Sequence, residues 1–112
     1  MIFDNRKGGG IKINMTSKQR AFLKSIAMTQ QATFHIGKST LTPEITKAVD
    51  EYLNANELIK ISVLKNCTLD PHEIAQTISE RTRSEVVQVI GKKIVLYRAF
   101  ADKEKRKIIL PS

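Results

Sequence analysis

The stretch His35-Ile36-Gly37-Lys38-Ser39-Thr40 ends in GKST, the four residues that close a nucleotide-binding phosphate loop. In such a loop a lysine ammonium and a Ser or Thr hydroxyl serve bound phosphate and its metal, while backbone N–H groups wrap around the anion. The wrap requires a glycine five residues before the Gly-Lys pair, and Ala32 stands there. Ala32 to Ile36 reads as strand instead of glycine-rich loop. Downstream, no apolar strand ends in an Asp placed to hold magnesium. Nucleotide hydrolysis is therefore not the chemistry expected, and the sequence implies no enzyme, no nucleotide cofactor and no other cofactor.

A simpler chemistry survives. A strand ends at Gly37, the chain turns through Lys38, Ser39 and Thr40, and a helix begins near Thr42. Backbone N–H groups at a helix start carry partial positive charge and attract phosphate oxygens, and Lys38 adds a full charge beside them. Glycine lets a bulky backbone approach closely, and the two hydroxyls can donate to phosphate. An ordinary strand-to-helix turn with an exposed lysine has the same spacing. Charge sharpens the choice: 19 Lys and Arg against 11 Asp and Glu give +8 on 112 residues, which makes an anionic partner worth testing.

Positioning that turn requires one compact domain, since 112 residues suffice for a single core and not for two. Thr16 followed by Gln19 forms a candidate capping box, and Phe22, Leu23, Ile26 and Ala27 then share a helical face. Thr33 to Ile36 alternates as a short strand. Thr42-Pro43 opens a second helix with an N-cap and a proline at its first position, and Ile45, Ala48, Val49, Tyr52 and Leu53 form its buried stripe. Leu58 to Leu64 alternates as a strand. Asp70-Pro71-His72-Glu73 caps a third helix, with Glu73 expected to reach back and Leu69 to pack on Ile74. Two β-branched runs, Glu85 to Ile90 and Lys93 to Arg98, flank Gly91-Lys92, a tight hairpin with glycine first. Ile108 to Leu110 is expected as a short edge strand.

The resulting order implies an α/β domain, a four-stranded mixed sheet with three helices packed on one face and the other face partly wet. Residues 1–14 carry a glycine triplet and no periodic face, so they read as a flexible N-terminal tail or leader, and residues 15–112 as the domain. Lys7 to Gly10, a few codons before Met15, could even be a purine-rich ribosome-binding sequence that has been translated. Cys67, His35 and His72 lack zinc-ligand spacing, so no metal is expected. No apolar run nears the roughly 18 to 20 residues of a membrane span, and a cytoplasmic location with no membrane partner is expected. Aromatics are 5% with no Trp, which argues against a broad base-stacking platform. Tyr97 reads as strand packing and lone His35 as structural or merely exposed.

The stretches TSKQRAFLKSIA, HIGKSTLTPEI, ELIKISVL, VVQVIGKKIVLYR and the ending KIILP together make Met15 to Ser112 resemble the CRM domain (chloroplast RNA splicing and ribosome maturation) family, specifically its single-domain bacterial YhbY-like members. The resemblance implies a fold similar to the C-terminal domain of bacterial translation initiation factor three. It also implies RNA binding, with ribosomal RNA in precursor large-subunit particles as partner and a role in ribosome assembly; plant relatives act in organellar intron splicing. The family's GxxG loop, similar in role to the backbone clamp of KH domains, falls on Gly37 and Lys38, with Thr40 where the second glycine would stand. Ser39 completes the loop. Lys60 lies in the matching LIK segment, Lys92, Lys93 and Arg98 in the matching hairpin, and Lys18, Arg20 and Lys24 on the first helix. The expectation is that several of these join Lys38 in one basic surface. The alternative is a ribosome-associated protein-interaction module whose basic face meets an acidic protein surface.

Overall fold

The computed structural model describes residues 15–38 and 41–111. The expectation for residues 1–14 lies outside them, as do Ser39 and Thr40 of the candidate loop. In chain order the elements are α1 (Ser17–Met28), β1 (Phe34–Ile36), α2 (Pro43–Asn56), β2 (Leu58–Val63), α3 (Pro71–Thr82), β3 (Glu85–Ile90) and β4 (Lys93–Tyr97), followed by a 3-10 turn at Lys103–Lys105. The alternation read from the sequence is present. The final strand is not: Ile108 and Leu110 pack as an irregular segment against the core below α1.

Local signals place the helix starts. Thr16 and Gln19 form the reciprocal box, each side chain meeting the other's backbone N–H at 3.1 Å. Thr42 accepts from the Ile45 N–H ahead of Pro43 at the first turn. Asp70 also caps, through the His72 N–H at 3.1 Å rather than the Glu73 N–H, so the expected reciprocal box is reduced to a single short cap. That N–H, and secondarily the His72 ring, hold the Asp70 carboxyl below the usual carboxylate range.

The sheet order is β1-β2-β4-β3, with β1 parallel to β2 and β4 antiparallel to both its neighbours. Strands β1, β2 and β3 therefore share one direction, and each step between them is a crossover carrying a helix. Two crossovers of the same hand stepping the same way across a sheet leave their helices on the same face. Accordingly α2 and α3 bury Val49, Leu53, Ile74, Ala75 and Ile78 against Ile36, Ile59, Ile61, Val63, Ile94 and Leu96.

The first helix belongs to no crossover, and it lies on the opposite face. Leu23 and Ala27 pack there with Leu58, Val87, Val95 and Tyr97, which alternate with the first core along the same strands. The expectation of three helices on one face is thus corrected to two on one face and one on the other. Polar Lys60 and Ser62 mark that second face as wet in sequence, yet Leu58, Val95 and Tyr97 on the same side supply a second apolar patch. Burial pushes the Tyr97 phenol up, and the Glu57 charge adds to it.

Glu57 joins the two layers at the end of α2. It adopts φ 64, its N–H bonds the Leu53 carbonyl, and its own carbonyl accepts from Arg98. Its carboxylate has 0% exposure and accepts the N–H groups of Phe100 at 3.0 Å, Lys107 at 2.7 Å and Ile108 at 3.0 Å. A buried carboxylate survives when its lone pairs are filled in this way. It fastens the C-terminal segment that covers the α1 core. Glu57→Ala should lower unfolding free energy by about 2 to 3 kcal/mol, since three part-buried donors lose their acceptor. Urea titration measures this loss, and limited proteolysis should show new cleavage between residues 100 and 108.

Candidate nucleic-acid interface

The end of β1 and the end of β2 run side by side, with Ile36 paired to Val63. One residue on, the Leu64 N–H bonds the Ile36 carbonyl at 2.8 Å. On the other flank of β2, the Val63 N–H bonds the Lys92 carbonyl at 2.7 Å. Three connections therefore meet at one end of the sheet: the loop from Gly37 towards α2, the turn from Leu64 to Cys67, and the β3–β4 hairpin at Gly91-Lys92.

Gly37 has no left-handed backbone to accommodate. Its small size matters because a Cβ there would meet the Asn66 Oδ1 at 3.0 Å and the Leu64 Cδ1 at 3.4 Å. The loop after β1 is thereby pressed against the turn after β2. The glycine that does need positive φ is Gly91, at 56°, the first turn residue of the hairpin. With that turn in place, Lys92 and Lys93 are exposed at the same end of the sheet as exposed Lys38, with β2 between them. Lys93 is held by its ammonium donating to Ser62 Oγ at 2.9 Å.

The structure separates the cations named from the sequence into two sets. Lys38, Lys92 and Lys93 share the loop end of the sheet. Lys18 is exposed near the start of α1, which lies towards the other end, where Arg20 meets the first residues of β3; Lys24 is half-buried on the same helix. Arg20 itself donates to the carbonyls of Val86 and Val87 at 2.6 and 2.9 Å, filling the irregular step between Val86 and Gln88 where strand pairing lapses. Lys60 donates to the Ala27 and Gln30 carbonyls at 3.1 and 3.2 Å and so closes the C-terminal end of α1.

Arg98 is the most committed of all. Its guanidinium, 10% exposed, bonds the Asp50 carboxylate and Thr82 carbonyl at 2.6 Å, the Asn54 side chain at 2.7 Å and the Asp50 carbonyl at 3.0 Å. It ties α2 to the end of α3. A polynucleotide would have to break that network to reach it, so the geometry makes Arg98, like Arg20 and Lys60, a structural cation.

Sequence reading passed over Lys65, which is exposed in the turn that touches Gly37. Its signal was its place directly after β2, invisible until β1 and β2 are known to be parallel neighbours. On the α2–α3 side, a shallow groove lined by Leu41, Leu69, His72, Glu73, Gln76 and Thr77 presents a carboxylate where a triphosphate would need cations. No group of three or more His, Cys, Asp or Glu suited to a metal occurs among the described residues.

The family model described as the CRS1 / YhbY (CRM) domain matches residues 15–98. The chain belongs to the CRM domain family. Among its relatives, the probable RNA-binding protein YqeI of Bacillus subtilis is 41% identical over 97 residues, covering 87% of this chain and 99% of that one. An RNA-binding protein of Haemophilus influenzae is 33% identical over 97 residues, covering 87% and 95%. The solution structure of SAV1595 from Staphylococcus aureus superposes with a TM-score of 0.72 at 45% identity, covering 88% of this chain and all (100%) of that one. The relatives named for a molecular role are thus RNA-binding proteins, and the CRM fold is shared.

The two sets of cations should separate experimentally. Arg98→Ala should cost about 1 to 3 kcal/mol, because it strands the buried Thr82 carbonyl and removes the part-buried tie to Asp50. Lys92→Ala should stay within about 0.5 kcal/mol of wild type. Chemical denaturation of the two variants side by side provides the comparison.

Proposed function

We propose that this CRM protein is a non-enzymatic RNA-binding factor that acts on ribosomal RNA in precursors of the large ribosomal subunit. It grips the phosphate backbone with the Gly37–Thr40 loop and the lysines beside it. The observation that carries this reading is the convergence of Lys38, Lys65, Lys92 and Lys93 at one end of the sheet, with the start of α2 just beyond. Closely placed cations neutralise neighbouring phosphates and release their counterions, a binding mode that needs no deep pocket. The names of the CRM relatives support RNA as the class of partner. In-cell crosslinking followed by sequencing of the attached RNA tests the ribosomal assignment, and enrichment of unrelated transcripts over large-subunit RNA would refute it.

Affinity for single-stranded RNA should fall with salt at a log–log slope of roughly −2 to −3, at about −0.7 per neutralised phosphate for three or four lysines. Lys38→Glu should weaken binding more than Lys7→Glu, a charge reversal outside the residues that match the family. Equal losses in a filter-binding titration would mean diffuse attraction without a localised grip.

A further inference from the structure

Among the described residues, the α1 face of the sheet is covered only in part. Helix α1 and the segment through Ile108 and Leu110 bury Leu58, Val87, Val95 and Tyr97, and Lys60 closes the last turn of the helix. Beyond Lys60, towards the hairpin, the register brings His35, Ser62, Lys93 and Ile90 into one row across all four strands. All four point to the α1 side, since their neighbours Ile36, Ile61, Ile94 and Val89 belong to the opposite core. His35 and Lys93 are exposed, and Ile90 is 58% exposed, although a β-branched apolar residue in a strand ordinarily serves to pack. Only Ser62 is buried, beneath the Lys93 ammonium.

We propose that this uncovered half-face seats one or two unstacked bases of single-stranded RNA, with His35 and Ile90 beneath the bases. The proposal rests on the RNA-binding reading and extends it from phosphates to bases. The row begins one residue before Ile36 and two before Gly37, so a strand held by Lys38 has its bases within reach of His35. At the other end, Ile90 immediately precedes Gly91 and Lys92, and Lys93 lies next to it in the row, so each end of the row has a cation beside it. An imidazole ring and an aliphatic side chain offer flat, sequence-tolerant surface to a base, and the flanking ammonium groups meet the backbone that carries it. A duplex keeps its bases stacked internally and gains nothing from such a seat. With a single ring in the row, the seat is narrow, in keeping with the low aromatic content of the chain.

The test is fluorescence anisotropy of the full chain with a single-stranded oligoadenylate, a duplex RNA of equal length and an abasic ribose-phosphate oligomer. His35→Ala and Ile90→Ser should each weaken oligoadenylate binding about 5-fold or more, the low end of the contribution of one stacked base. Neither should change affinity for the duplex or the abasic oligomer, and His35→Phe should retain oligoadenylate binding. Thermal melts check that each variant folds. Should both variants bind oligoadenylate as tightly as wild type while Lys38→Glu does not, the base seat is overturned and the phosphate grip stands. If the wild-type chain binds none of the three probes, the RNA-binding reading falls too. Loss of a protein from nuclease-treated particles, with RNA affinity unchanged, would assign the face to a protein and overturn the seat.

Discussion

Strand β2 is the constraint on which the rest of the structure depends. It pairs in parallel with β1 on one side and antiparallel with β4 on the other, and the N–H groups of Val63 at its end and of Leu64 just beyond bond the Lys92 and Ile36 carbonyls. Two backbone hydrogen bonds at 2.7 and 2.8 Å therefore hold a hairpin turn and a strand-to-helix loop at the same edge, although 54 residues separate Lys38 from Lys92. Any cradle for a polyanion built from these lysines is positioned by that ladder and not by the loop's own sequence. Because β2 is buried on both faces, its register is firmly specified, and the geometry of the loop end inherits that rigidity.

A strongly basic chain has to place its positive charge somewhere, and this one divides it between construction and surface. Arg20, Lys60 and Arg98 meet orphan carbonyls at a strand irregularity, a helix C-terminus and a junction of two helices. Arg20 and Lys60 each meet two carbonyls, and the planar, multidentate guanidinium of Arg98 suits the site with four acceptors. Five of the eleven Asp and Glu, Glu44, Asp50, Glu51, Glu73 and Glu80, lie on α2 and α3. At the loop end, the exposed charged side chains among the described residues are the cations Lys38, Lys65, Lys92 and Lys93.

The two-layer covering of the sheet follows from connectivity. Helices α2 and α3 are each trapped in a crossover and must share a face, which leaves the other face to whatever is not so constrained. Helix α1 and the C-terminal segment take it, fastened by Glu57 through three backbone N–H groups. Among the described residues they leave the row His35, Ser62, Lys93 and Ile90 beyond Lys60, where His35, Lys93 and Ile90 are exposed.

Much of the fold was legible in the sequence because its signals are local. Thr16 with Gln19, Thr42 with Pro43, Asp70 with Pro71, and Gly91 at the hairpin each report a backbone geometry set within a few residues, and each element is present where those residues place it. The family, and with it the class of partner, was carried by extended motif matches. Apart from the Asp70 cap, which closes on the His72 N–H and lacks its reciprocal partner, what the sequence left open was non-local. The face chosen by α1 depends on the crossover topology. The fate of Ile108 to Leu110 depends on Glu57, some 50 residues earlier. The division of Arg20, Lys60 and Arg98 from Lys38, Lys65, Lys92 and Lys93 depends on which carbonyls lie unpaired nearby. Residue type by itself determined that this chain would form these helices and strands and carry excess positive charge. Tertiary structure alone decided where that charge is free, because a cation's availability depends on acceptors brought to it from distant parts of the chain.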